Sequence, residues 1–280
     1  MPHLTDSQWH YTMDNWLIEN EPTVRMAFFF GSLTIMALWE VIAPCRQLSV
    51  SKTLRWVNNL GLVFFNSLLI RAITPTAAVG VAIWAQHEGW GLLNQFELPA
   101  IAVLLISVTV MDLVIYGQHV LVHHVPVLWR LHRVHHADPD YDVTTGSRFH
   151  PLEIILSMLI KFGTILLLGP SVAAVIVFEV VLNAMAMFNH ANIQLPKGID
   201  NFIRKLVVTP DMHRVHHSKV ISESNSNFGF NLSIWDRIFG TYKDQPDEGH
   251  QGMRIGIGQF NDDKDVVWIS GMLTLPFKGK

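Results

Sequence analysis

The pentapeptide HRVHH occurs twice in the chain, at residues 132–136 and again at residues 213–217. No repeat surrounds either copy at a fixed period, so the chain is not a repeat protein. On a helix the first, fourth and fifth residues of this segment lie on one face, and imidazole is the commonest metal ligand among side chains. We therefore predict that the fold brings both copies together at a metal centre, rather than using them as ordinary polar helix faces.

Further histidines extend this pattern. His119 and His123 are four residues apart and share a helix face, whereas His124 lies about 100° round the helix from His123. Ten of the fifteen histidines are predicted metal ligands: His119, His123, His132, His135, His136, His150, His190, His213, His216 and His217. Ten imidazoles are too many for one ion, and they suit two ions with about four to six ligands each.

The composition indicates a membrane protein. Half of the residues are hydrophobic and 15% are charged, whereas soluble domains carry about 25% charged residues. The net charge of −3 gives no sign of a nucleic-acid partner. Because Cys45 is the only cysteine, an internal disulfide and an all-cysteine metal site are excluded. The N-terminal sequence lacks the features of a signal peptide, so we expect its first apolar segment to be retained.

The first part of the chain reads as membrane helices. Residues 1–25 are polar and acidic, and Trp9, Tyr11 and Trp16 suit an interfacial segment. Residues 26–118 are expected to form membrane helices, with crossings at 26–43 and 98–116. Residues 57–85, with Pro75 inside, could cross once with a kink or twice; one crossing fits better if residues 46–55 and the histidines share a side.

The basic residues of this part orient the bundle. Arg46, Lys52 and Arg55 follow the first crossing, so the positive-inside rule predicts that their loop is cytoplasmic. We expect the histidine site on that same side.

The second part of the chain carries the histidines, and we take residues 119–243 as the catalytic region. Residues 152–188 are apolar, are interrupted at Gly169 and Pro170, and are too long for a single pass of about 20 residues. A membrane hairpin here would return the second HRVHH to the side of the first. Thr209 and Pro210 predict a helix start just before that copy. We expect order to end near Tyr242, which leaves residues 244–280 as a C-terminal tail.

Together these patterns predict an all-α fold: a multi-span membrane helix bundle with a cytosolic histidine-rich dimetal cap. The order HxxxH, HxxHH, HxxHH, with LWRLHRVHH, RFHPLE, TPDMHRVHHS and LSIWDRIFGTY around it, resembles the fatty acid hydroxylase or sterol desaturase superfamily over residues 98–243. The resemblance implies two iron ions, with zinc possible in purified protein, and O2-dependent hydroxylation or desaturation of a C–H bond in a sterol, fatty acyl chain or related lipid.

The chemistry of that reaction agrees with the residues. No side-chain acid or base breaks an unactivated C–H bond, so a metal that activates oxygen is required. The chain carries no flavin, nicotinamide or haem motif, so we expect electrons from an external donor protein. A histidine-rich metal-binding or transport protein without oxygen chemistry is the alternative, although transport would favour ligands near mid-membrane.

Three carboxylates are candidates to orient the ligand imidazoles by hydrogen bonds: Asp112, Asp138 and Asp211. Asp211 has a second explanation as an acid in the first turn of a helix. His190 resembles the isolated ligand of this superfamily, which in several related membrane desaturases is preceded by a second ligand or polar residue one turn earlier; here Ala186 occupies that position. His150 could supply that tenth ligand, or it could support a ligand or cap the helix that follows it.

Overall fold

The computed structural model describes residues 6–74, 77–260 and 262–279, with side chains from Asn15 onward except that of Asp263. Its regular structure is helical, and the described residues contain no β-strand beyond three isolated bridges. Seven helices build the bundle and its histidine end: α1 (Asp6–Ile42), α2 (Lys52–Ile73), α3 (Ala77–His87), α4 (Ala100–His124), α5 (Pro126–His136), α6 (Pro151–Leu168) and α7 (Val172–Asn189).

Seven shorter helices follow: α8 (Lys197–Ile203), α9 (Pro210–His216), α10 (Ile221–Ser224), α11 (Ile234–Ile238), α12 (Gly249–Gly252), α13 (Asp263–Val266) and α14 (Ile269–Thr274). Three 3₁₀ turns lie at Leu92–Gln95, Thr145–Ser147 and Leu275–Phe277. The second part of the chain is therefore a cap of short helices, joined by loops, over the end of the long helices.

Among the described residues, five segments are long and apolar enough to cross a membrane: Asn15–Ile42, Lys52–Gln95, Ala100–His124, Pro151–Leu168 and Val172–His190. The predicted all-α, multi-span fold is confirmed, and the chain is an integral membrane protein. The expected interfacial segment and first crossing form one continuous helix, α1; residues 1–5 and the side chains of Trp9 and Tyr11 lie outside the described part. The region predicted to cross once or twice counts as one candidate segment, and its Pro75 also lies outside that part.

The bundle core forms around α3, which packs against both α6 and α7. Ala78, Ala82 and Ala85 recur every three or four residues along α3 and are buried, and such small side chains let helices approach closely within a membrane. The helix breaks at the interruption predicted from Gly169 and Pro170: α6 ends at Gly169, which has φ +71°, and the Ser171 side chain caps the start of α7. Both helices pack against α3 more than against each other. The chain thus reverses in a few residues between two apolar helices.

The segment after Tyr242 is packed, so the expectation that order ends there is wrong. Val266, Val267 and Leu275 are buried with Val134 of α5 in one apolar cluster. Arg133, also on α5, donates hydrogen bonds to the carbonyl oxygens of Leu275 and Lys278. The C-terminal residues therefore buttress the helix that carries the first HRVHH.

Candidate metal centre

Nine buried or partly buried histidines meet at the end of the bundle in two groups. The first group contains five, namely His119, His123, His132, His136 and His216; the second contains four, namely His135, His190, His213 and His217. Within each group the ligand nitrogens all lie within 4.8 Å of one another. Both HRVHH copies contribute to both groups, so the structure brings the two distant segments together.

Local sequence signals position these side chains. Val125 is extended and Pro126 opens α5, so the chain turns sharply after His123 and brings the α5 histidines back toward α4. The Thr209 side chain accepts a hydrogen bond from the Met212 N–H, and Pro210 occupies the first turn of α9. The helix start predicted at Thr209 is therefore confirmed.

In the second group, His190 lies close to each of the other three histidines. Its Nε2 lies 3.2 Å from Nε2 of His135, 3.2 Å from Nε2 of His217 and 3.0 Å from Nε2 of His213. The His190 Nδ1 lies 2.7 Å from the Ala186 carbonyl oxygen and so donates to it, which leaves one lone pair on Nε2. A single lone pair cannot accept three hydrogen bonds at once.

A metal ion accounts for this convergence. Imidazole nitrogens bind a divalent ion at about 2.0–2.1 Å, which separates neighbouring ligand nitrogens by roughly 3.0–3.4 Å. The observed separations of 3.0 to 3.2 Å match that range. The second group therefore fits one metal ion.

The first group has the same character. Nε2 of His123 and Nε2 of His136 are 3.1 Å apart. Nε2 of His119, His132 and His216 is buried and has no hydrogen-bond partner among the residues that the structure describes. A buried polar atom left unpaired costs about 1–3 kcal/mol. A cation between these nitrogens would satisfy all of them.

Hydrogen bonds at the opposite ring nitrogen orient the imidazoles of the first group. The acceptors are the Phe228 carbonyl for His119 at 2.7 Å, the Ser226 carbonyl for His216 at 2.8 Å and the Glu153 carboxylate for His132 at 2.6 Å. Because Nδ1–H donates in each case, the Nε2 lone pair faces the group. Sequence reasoning missed Glu153; its place in the first turn of an apolar helix is explained by the helix dipole alone.

Burial keeps the imidazoles of the cap neutral. It lowers the pKa of His216 to about 3. Burial, reinforced by the neighbouring imidazoles, also lowers the pKa values of His135, His136, His213 and His217 well below the usual value. Neutral imidazole is the form that binds metal, so these rings are prepared for an ion at neutral pH.

Asp112 does not contact a ligand histidine in the described part of the chain. It accepts hydrogen bonds from the backbone N–H groups of Asn231 and Leu232, and from the Trp235 indole at 2.8 Å. It therefore fixes to α4 the loop that also carries the Phe228 carbonyl. Its influence on His119 passes through that loop rather than through a direct hydrogen bond.

Asp138 and Asp211 likewise bind arginines instead of the imidazoles of the two groups. Asp138 is held by Arg55 through two bonds of 2.8 Å; burial alone would raise its pKa, but Arg55 and Arg148 lower it to about 2. Asp211 pairs at 2.7 Å with Arg214, which also donates to the Ile193 carbonyl oxygen. The two carboxylates thus anchor the ends of α5 and α9.

His150 lies outside both groups. Its Nδ1 accepts a hydrogen bond from the Leu152 N–H at 3.2 Å, and its Nε2 lies 3.3 Å from the Leu273 carbonyl oxygen. Of the roles open to it from the sequence, the structure gives His150 the role of N-cap of α6. The Ala186 position supplies only its backbone carbonyl, which orients His190.

A cavity of about 800 Å³ leads from the helix bundle to the histidines, and its wall includes His119 and His132. Most of its lining is apolar, for example Met26, Phe29, Ile115, Met158, Leu182 and Phe230. Ligand pockets for small molecules commonly measure about 300–1,000 Å³. The cavity therefore has the size and the surface for a hydrophobic ligand.

Known proteins resemble this chain. Residues 104–241 match the family model named fatty acid hydroxylase. The chain is 30% identical to an ornithine lipid hydroxylase of Rhizobium tropici, over 78% of this chain and 66% of that protein. It is 30% identical to an alkylglycerol monooxygenase of Danio rerio, over 59% of this chain and 35% of the relative.

A very-long-chain aldehyde decarbonylase of Oryza sativa is 22% identical, over 90% of this chain and 40% of that protein. The chain thus spans between about a third and two thirds of the length of these three relatives. No solved structure shows significant similarity to it.

Proposed function

The chain belongs to the fatty acid hydroxylase superfamily, and from that premise we propose that it is a membrane oxidoreductase that uses two iron ions and O2 to oxidise a lipid C–H bond. The observation that carries this proposal is the convergence of nine imidazoles into a group of five and a group of four. Bound iron would supply the oxygen activation that an unactivated C–H bond requires.

The protein's part is to hold and orient the ligands. Glu153 and the carbonyl groups of Ala186, Ser226 and Phe228 accept hydrogen bonds from ligand Nδ1 atoms. Such supporting bonds fix the ring orientation and raise the basicity of the coordinating nitrogen. Eight of the nine histidines are at most 4% exposed, and this burial keeps bulk water away from the centre.

The substrate is a lipid that reaches the centre through the cavity. The apolar lining supports this assignment, because a chain from the bilayer could extend to His119 and His132 without crossing water. The names of the relatives also refer to lipid-like substrates, and two of the three are a hydroxylase and a monooxygenase. These names favour hydroxylation over desaturation.

Electrons come from an external donor protein, and the centre faces the cytoplasm. The loop that contains Arg46 is bonded to Asn192, two residues beyond His190, so the basic loop and the histidines lie at one end of the bundle. Positively charged loops favour the cytoplasmic side.

Metal analysis and lipid analysis together test the proposal. We expect freshly purified protein to contain two metal ions per chain and to consume oxygen with a lipid extract. Cells that express the protein should contain a lipid with one added oxygen, absent from cells that express His135→Ala or His216→Ala. Zinc without oxygen uptake would contradict the iron assignment, and metal accumulation without any lipid product would instead favour transport.

A further inference from the structure

Four charged side chains meet inside the helix bundle, away from the histidines. Arg25 of α1 forms ion pairs with Glu21 and with Glu179 of α7, and the Lys161 ammonium of α6 lies 2.5 Å from the Glu179 carboxylate. All four side chains line the cavity that reaches His119 and His132. Ionisable groups within membrane spans are costly, and they commonly mark the path of a substrate or an ion.

This polar cluster, defined by Glu21, Arg25, Lys161 and Glu179, lies at a measurable depth. On α6, Lys161 is eight residues beyond Glu153, which contacts the ligand His132; eight residues of helix span roughly 12 Å. On α7, Glu179 precedes Ala186 by seven residues, or roughly 10 Å. The same cavity is thus lined by His119 and His132 and by the polar cluster. Along α6 and α7 the polar cluster lies about 10–12 Å from the residues that orient the histidines.

The charges of the polar cluster balance, since two cations face two carboxylates. A ligand group with net charge would leave one buried charge unmatched, which is strongly unfavourable in a medium of low polarity. A hydroxyl or another group without net charge can instead donate to a carboxylate and accept from a cation. The cavity wall also contains Asn66, which is 7% exposed and whose Oδ1 has no hydrogen-bond partner in the described part of the chain.

We propose that the polar cluster binds the polar end of an amphipathic lipid that carries no net charge there, while the chain of that lipid extends along the cavity toward the histidines. An extended polypeptide advances about 3.6 Å for every three backbone bonds. An extended lipid chain of similar bond lengths therefore needs about ten bonds to span roughly 12 Å. The site of oxidation, which rests on the proposed function, would then lie about ten bonds from the polar group.

Variants that change the charge of the polar cluster test this assignment through binding alone. The experiment measures how tightly three deuterated probes bind to the purified full-length protein at neutral pH in a neutral detergent. The probes are stearyl alcohol, stearic acid and stearylamine. We expect the unaltered protein to bind the alcohol about tenfold or more tightly than either charged probe. Glu179→Gln leaves one cation in excess and should shift the preference toward the acid, whereas Lys161→Met leaves one carboxylate in excess and should shift it toward the amine.

A double variant covers the case in which a single change prevents folding. Lys161→Met with Glu179→Gln leaves the Arg25–Glu21 pair intact and no orphan charge, so the double variant should fold. Because its charges still balance, it should keep the preference for the alcohol over both charged probes, and loss of that preference would contradict the assignment. Leu159→Met, on the exposed face of the same helix, is the control and should bind as the unaltered protein does.

The outcomes separate the binding proposal from the proposed reaction. If all three probes keep the same ranking in every variant, or if the unaltered protein prefers a charged probe, the polar cluster is a structural ion network only. If the ranking shifts as expected but no lipid is oxidised, the binding site stands and the proposed function fails. Metal content should be the same in all variants, because the polar cluster lies about 10 Å or more from the residues that orient the ligands.

Discussion

The two HRVHH copies have the same sequence, but their histidines are divided between the two groups in opposite ways. In the first copy, His132 and His136 belong to the group of five and His135 to the group of four; in the second copy, His213 and His217 belong to the group of four and His216 to the group of five. Each copy thus places its first and fifth residues in one group and its fourth residue in the other. The two pentapeptides are related by an approximate exchange of the two groups.

The exchange is incomplete because the neighbouring helices differ. For the first copy, α4 supplies two candidate ligands one turn apart, His119 and His123. For the second copy, α7 leads to His190 alone, because the residue one turn earlier is Ala186. The difference of one ligand between the groups therefore comes from this one position, and it leaves the second group dependent on His190.

The surroundings of corresponding histidines differ as well. His132 donates to the Glu153 carboxylate, whereas Nδ1 of the corresponding His213 is buried and finds no partner among the described residues. A charged acceptor makes the coordinating nitrogen more basic. The first group thus has one more candidate ligand than the second, and a carboxylate supports one of its imidazoles. It should therefore bind its metal ion more tightly than the second group.

Removing one ligand from each group gives the largest expected effect and tests this asymmetry. His190→Ala should reduce the metal content toward one ion per chain and reduce product formation by more than about a hundredfold, since loss of an outer supporting bond alone costs about 10–100-fold. His119→Ala leaves four ligands in its group and should retain more metal. Elemental analysis after gel filtration measures both, with the exposed His124→Ala as control. Equal losses in the two variants would contradict the asymmetry.

Glu153→Gln tests the bond from His132 to a carboxylate, which has no counterpart in the second group among the described residues. The amide can still accept a hydrogen bond from His132 but carries no charge, so we expect metal affinity of the first group to fall by about 10–100-fold. The second group should be unaffected. Competition with a chelator, followed as metal released per chain, should show faster loss of one ion and an unchanged rate for the other.

Gly146→Ala tests the packing around His190. A β-carbon at this position would lie 2.5 Å from the Ala186 carbonyl oxygen and 2.9 Å from Nδ1 of His190. Because these two atoms form the hydrogen bond that orients the His190 ring, that bond must shift. Overpacking of this kind costs about 1–3 kcal/mol. The midpoint of thermal unfolding should fall, and the second group should lose metal first. Gly117→Ala, where a β-carbon meets nothing within 4 Å, should not reproduce either effect.

Much of the centre could be predicted from the sequence because its signals are local. Histidines at offsets of zero, three and four define a helix face, and Thr209 with Pro210 defines a helix start. The apolar runs and the interruption at Gly169 gave the membrane helices and the reversal between α6 and α7. These features depend on periodicity and caps, which are visible in a single sequence.

The remaining features depend on how distant segments approach each other. The division of each HRVHH copy between the two groups depends on how α5 and α9 are placed relative to each other. No local sequence pattern predicts that placement. The acceptors for His119 and His216 are backbone carbonyls, which carry no sequence signature. Arg214 is fully buried and bound to Asp211 and the Ile193 carbonyl, and no local sequence pattern predicts the burial of this arginine.

The smallest effect is expected at His150, which the sequence left open as a further ligand for the poorer group. Because His150 caps α6 and lies outside both groups, His150→Ala should cost about 1 kcal/mol of stability, the usual effect of losing an N-cap. Metal content and product formation should not change. His150→Asn retains a capping acceptor and should recover the thermal midpoint of the unaltered protein. If the Asn variant keeps that midpoint but loses an ion, His150 is a ligand, and the two groups are more alike than the structure makes them.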